Sequence, residues 1–138
     1  MKRALLYLAA AVAAGVALWW ATRPQPLEDS ALARVQPGDA ARGERIFLAG
    51  GCASCHARPE VDGEETLQLA GGRALKTAFG TFMAPNISAH PEDGIGAWSE
   101  LDFANAMLRG ISPEGEHYYP AFPYTSYARM ELQDVADL

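Results

Sequence analysis

The segment "GGCASCHARP", residues 50–59, gathers the only two cysteines of a 138-residue chain, Cys52 and Cys55, beside His56. Three chemistries use such a group. A redox disulfide of the thioredoxin kind needs a CxxC pair, but no βαβ pattern surrounds this one. A structural zinc ion needs four ligands; the segment supplies three, with His90 and His117 far away in the chain. Covalent attachment of a c-type haem needs two thiols to add to the vinyl groups and an adjacent imidazole to bind iron from one face. The histidine directly after the second cysteine selects the third chemistry.

Haem held by a proximal His56 leaves the opposite iron face for a second ligand, and four kinds of candidate exist. Met107 lies mid-helix on an apolar face, where methionine commonly fills a core. Met83 lies in the irregular "TFMAPN", and His90 and His117 lie in polar loops. Met130 ends a proline-braced loop, "GEHYYPAFPYTSYARM", residues 115–130, with five aromatics and two prolines. A thioether held by that loop would reach across to the iron, so Met130 is the expected ligand, Met83 its alternative; an open sixth position is the remaining case. The Pro85 carbonyl is a candidate partner for the His56 ring N–H, and Arg73 and Trp98 are candidate propionate contacts. Phe122 and Tyr124, with Phe47 and Trp98, would bury the haem.

The elements that position these residues have local signatures. In "PGDAARGERIFLAGG" Asp39 is placed as an N-cap and Gly50–Gly51 as the stop. Ala40, Gly43, Ile46 and Phe47 form one face between them, and Gly43 offers a point where another helix backbone approaches closely. "WSELDFANAMLRG" reads as a helix with a capping box from Ser99 and Asp102, a staple from Trp98 and Phe103, and a stop at Gly110. Residues 60–80 are glycine-rich and read as a loop with at most one helical turn around Thr66–Ala70. "ELQDVADL" begins a last helix, with Leu132, Val135 and Leu138 spaced by three. Eight residues are short for a helix that crosses another, so the natural chain is expected to continue beyond Leu138.

Upstream, Lys2 and Arg3 precede an uncharged apolar run from Ala4 to Ala21 that ends in Trp19 and Trp20. Its 18 residues would form a helix about 27 Å long, close to the roughly 30 Å hydrocarbon core of a bilayer. A cleaved signal has a shorter apolar region, so residues 1–23 are read as a membrane anchor, with a signal as the alternative. In either case the remainder is exported. Residues 24–38 read as a linker and 39–138 as one small domain. Without Lys2, Arg3 and Arg23, eight basic residues face 17 acidic ones, a net of −9. That excludes a basic nucleic-acid face and favours positively charged partner surfaces.

"GERIFLAGGCASCHA" resembles the attachment region of class I c-type cytochromes. "FGTFMAPNIS", "GIGAWSELDFANAMLRG" and "HYYPAFPYTSYARM" are similar to the cytochrome c subunits of bacterial membrane-bound dehydrogenases acting on alcohols, sugars and related substrates. The resemblance spans about Asp39–Leu138. It implies an all-α class I fold in which the first and last helices cross around one haem c held by Cys52, Cys55 and His56, with a methionine as distal ligand. In part of that family the methionine falls where this chain has Phe122; here the later Met130 remains. Relatives often carry two or three haem domains, so a single CxxCH marks a one-haem member or the N-terminal piece of a longer protein. The expected function is single-electron transfer on the periplasmic side of a bacterial inner membrane, between a dehydrogenase partner and a quinone or terminal oxidase acceptor of the respiratory chain. No nucleophile–base pair or dinucleotide fingerprint suggests catalysis by the chain itself. The rival is a haem protein with an open sixth position, acting as a peroxidase-like catalyst or a gas sensor.

Overall fold

In the structure, a computed structural model describing residues 2–138, the chain forms six helices, two 3₁₀ turns and one hairpin. Helix α1, Lys2–Thr22, buries none of its side chains. It is the one helix among the described residues that is long and apolar enough to cross a membrane. A 3₁₀ turn, Asp29–Arg34, follows, then α2, Ala40–Gly50. The Asp39 side chain caps α2 by accepting from the amides of Ala41 (3.0 Å) and Arg42 (3.1 Å). Gly51 stops it at φ 65°, a left-handed conformation that glycine adopts without a Cβ penalty. That same residue turns the chain into the short α3, Cys52–His56.

A second 3₁₀ turn, Gly63–Gln68, leads to β1, Ala74–Thr77, and β2, Gly80–Met83. They pair antiparallel in the register Ala74↔Met83, Leu75↔Phe82, Lys76↔Thr81 and Thr77↔Gly80. This hairpin corrects the all-α expectation, and residues 60–80 are more than a loop. The pattern is weak because only one face of the hairpin finds a partner: Phe82 stacks on Tyr119, ring centroids 4.6 Å apart. Helix α4, Glu100–Arg109, has the expected capping box, with Ser99 and Asp102 each bonding the other's backbone, and Gly110 ends it at φ 63°. α5, Tyr124–Tyr127, and α6, Leu132–Asp137, complete the fold.

The core centres on Ala104 and Met107 of α4 and Val135 of α6, flanked by Leu27, Phe103, Leu108, Phe122, Tyr127, Met130 and Leu132. Met107 is therefore a core residue. α2 crosses α6 at Gly43: a Cβ there would overlap the Asp137 carbonyl group. Asp137, buried on α6, clamps the crossing by pairing with Arg42 and accepting from the Asp39 amide (2.9 Å) and the Gln133 side chain (3.1 Å). The Arg42 guanidinium holds the Asp137 carboxyl far below the usual carboxylate range.

Residues 24–38 are packed against the domain rather than strung between domain and helix. The Leu27 amide donates to Asn105 Oδ1 (2.7 Å), and Gln36 and Gln133 exchange two hydrogen bonds, of 2.8 and 3.1 Å. A buried Asn105 and a half-buried Gln133 thus meet backbone groups that would otherwise need water.

Candidate functional site: two thiols and an imidazole on one turn

Cys52 and Cys55 are both free thiols, half-buried, and lie three residues apart on α3, hence on the same side of the helix. Burial pushes the Cys52 thiol up from its ordinary value, with the nearby Cys55 adding to the effect. His56 follows at the end of the same turn. Its Nδ1 lies 2.8 Å from the Pro85 carbonyl oxygen. A carbonyl only accepts, so Nδ1 carries a proton, which leaves Nε2 as the ring nitrogen available to bind a metal.

The hairpin is what brings Pro85 to His56. The Gly71 amide donates to the His56 carbonyl (2.7 Å), Gly72 to Ala84 (2.8 Å), and Ala84 to Arg73 (2.9 Å). Gly71, at φ 70°, lies so close to this strand that a Cβ would meet the Pro85 carbonyl carbon at 2.5 Å and its oxygen at 2.6 Å. The two glycines let the chain fold back on itself there, and the returning strand delivers the carbonyl.

The aromatic loop reaches the end of α2, just before α3, through Tyr127. Its hydroxyl donates to the Gly50 carbonyl (3.1 Å), and burial raises the Tyr127 phenol, with the Cys52 and Cys55 thiols adding to that rise. Phe122 lies 6.1 Å from the Tyr127 ring and 5.8 Å from Tyr118, edge-on to the latter. Phe122, Tyr127 and Met130 all pack on the central cluster. Tyr124 instead lies across Gly110, where a Cβ would meet its ring at 2.6 Å. Tyr127 is not among the residues expected at the site; its spacing of three from Tyr124 across the α5 turn is the signal that the sequence carries for it.

The other sequence candidates lie on several different elements. Trp98 lines a recess of about 250 Å³ with Phe103, Leu132 and Val135. Arg73 is exposed at the start of the hairpin, and Met83, 59% exposed, ends it. His90 spends Nδ1 as an acceptor for the amides of Glu92 (3.3 Å) and Asp93 (3.0 Å). His117 donates from Nε2 to the Thr22 carbonyl at the end of α1 (3.0 Å). Among the described residues no three His, Cys, Asp or Glu side chains gather as a metal-holding group.

Two same-side thiols followed by an imidazole with one nitrogen tied, in a helix-rich domain, are the groups that a haem-attachment site needs. The particular family follows from comparison: the cytochrome c family profile matches residues 40–138, and the chain belongs to that family. Its cofactor is accordingly haem c, and the donor set just described suits that group. The chain is 55% identical over its whole length to a diheme cytochrome c-type protein of Cereibacter sphaeroides, covering 47% of that protein. It is 39% identical over 114 residues to the gluconate 2-dehydrogenase cytochrome c subunit of Pantoea cypripedii, 81% of this chain and 25% of that one. It is 34% identical over 116 residues to the fructose dehydrogenase cytochrome subunit of Gluconobacter japonicus, 84% of this chain and 23% of that one. The chain thus spans less than half the length of these curated relatives.

Proposed function

We propose that the chain is a membrane-anchored c-type cytochrome that carries single electrons on the periplasmic side of a bacterial inner membrane. It takes them from a dehydrogenase and passes them toward a quinone or terminal oxidase of the respiratory chain. The observation that carries this reading is the α3 turn, where two free thiols precede a histidine whose Nδ1 is tied to Pro85. Cys52 and Cys55 would form the thioethers and His56 Nε2 would bind the iron. Bound haem c supplies a metal centre that gains and loses one electron. The chain's own residues set its environment. Pro85 fixes the His56 tautomer and makes the ring a stronger donor. Met130, packed on the core beside Phe122 and Tyr127, would supply a thioether to the iron, whereas Met83 is exposed on the hairpin.

α1 is the anchor: its length, the Trp19–Trp20 pair at its outer end and the flanking Lys2 and Arg3 match a single span. The relatives named for such enzymes support a dehydrogenase as the donor.

The test is the absorption spectrum of the exported, matured protein, ferric and ferrous, beside Met130→Leu. A low-spin parent with a sulfur-to-iron charge-transfer band that the substitution abolishes supports the carrier. A high-spin parent that binds carbon monoxide rapidly when reduced supports the catalyst or sensor instead.

A further inference from the structure

A hydrogen bond joins the domain to the C-terminal end of α1, and the tip of its hairpin is apolar and exposed. His117, bonded to the Thr22 carbonyl, sits two residues from Tyr119, and Tyr119 stacks on Phe82 of β2. The hairpin is therefore rooted one aromatic stack from the residue that touches the end of the helix. Leu75 and Phe82 take the face turned to Tyr119, while Ala74, Lys76, Thr81 and Met83 take the other. At the tip, Phe79 is 83% exposed. Charge distinguishes this element from the rest of an acidic domain. Between Glu65 and Glu92 the chain has no acidic residue, and it has Arg73 and Lys76. Glu114 and Glu116 lie on the neighbouring Ile111–His117 turn, so the absence of negative charge belongs to the hairpin itself.

We propose that the β1–β2 hairpin is a second membrane contact: Phe79 enters the boundary between headgroups and acyl chains, and Lys76 meets lipid phosphates. An aromatic tip flanked by a basic residue is the composition that partitions into this layer. Trp19 and Trp20, within one turn of Thr22 on α1, are of the residue type that favours the same layer. Together with the Leu27–Asn105 and Gln36–Gln133 bonds, the contact holds the haem domain at a fixed tilt on the bilayer, so that it works as a stationary relay and not as a carrier swinging on a tether. The inference rests on α1 being a membrane anchor.

The test uses the full-length holoprotein in nanodiscs of phosphatidylethanolamine and phosphatidylglycerol. With both native thiols in thioether bonds, an introduced cysteine is the sole site for a nitroxide. Phe79→Cys, Ala10→Cys within α1 and Glu44→Cys on the exposed face of α2 are labelled in turn. Relaxation by oxygen, which concentrates in lipid, is compared with relaxation by a water-soluble nickel chelate. The expected result is an oxygen-to-nickel ratio several-fold higher at positions 10 and 79 than at 44. A high ratio at 10 with a ratio at 79 equal to that at 44 overturns the hairpin contact and leaves the anchor standing. A low ratio at 10 overturns the anchor reading and this inference with it. Shielding of position 79 from both reagents identifies a protein neighbour and also overturns it. The haem spectrum checks that each labelled protein is folded.

Discussion

Replacing Gly43 with alanine sets two local forces against each other with opposite signs. In an isolated helix the change is favourable by about 1 kcal/mol, because alanine orders more readily than glycine. At the α2–α6 crossing the new Cβ would overlap the Asp137 carbonyl, lying 2.6 Å from its carbon and 3.3 Å from the Leu138 nitrogen. Ordinary contact requires roughly 1 Å more, and both neighbours are backbone, so no side chain can rotate away. Overpacking of this kind costs about 1–3 kcal/mol. Separating the helices also stretches the Asp39–Asp137 hydrogen bond and the Arg42–Asp137 pair, and each net hydrogen bond is worth about 0.5–1.5 kcal/mol. The net expectation is a loss of about 1–5 kcal/mol, centred near 3, after the propensity gain is subtracted. Guanidinium unfolding of the ferric holoprotein, followed by absorbance and circular dichroism together, should show the midpoint falling by about 1 M for a slope near 3 kcal/mol per molar. A midpoint that stays or rises means that α2 and α6 do not touch at Gly43, and the crossing argument is refuted.

Asp137 ties the same crossing to pH. Its folded pKa is depressed by Arg42, so its contribution is fully present above the unfolded carboxylate value of about 3.9 and is lost as pH falls through the folded one. Asp137→Asn should be less stable at neutral pH and lose less further stability below pH ~4 than the parent; denaturant midpoints across that range measure the difference. Gly71→Ala forces a Cβ into the Pro85 carbonyl and pulls it from His56. A weaker histidine donor favours the ferrous state, and the midpoint potential should rise by on the order of 40 mV, the one-electron equivalent of about 1 kcal/mol. A redox titration of folded protein with unchanged potential contradicts this. Tyr127→Phe removes the hydroxyl from the Gly50 carbonyl and should cost about 1 kcal/mol in equilibrium unfolding, with the haem spectrum preserved.

What was legible in the sequence is what is decided locally. The Cys52, Cys55 and His56 spacing names its chemistry within one helical turn. The ends of α2 and α4 are fixed by residues that bond backbone groups two or three positions away, Asp39 and the Ser99–Asp102 pair, and by Gly51 and Gly110 at left-handed angles. Gly43 was legible as a crossing point because only a missing side chain admits a second backbone.

Tertiary structure alone decided the rest. The hairpin carries little alternation because one face has a single aromatic partner, Tyr119, more than thirty residues away. Residues 24–38 read as a tether because nothing local marks the attachment; their partners Asn105 and Gln133 lie 78 and 97 residues downstream. Within "PAFPYTSY" the choice between Tyr124 and Tyr127 rests on the rotation of α5. Gly110 leaves room for the first ring, and the second reaches the Gly50 carbonyl. Such pairings have no sequence period, because they join groups that meet only once the helices have packed.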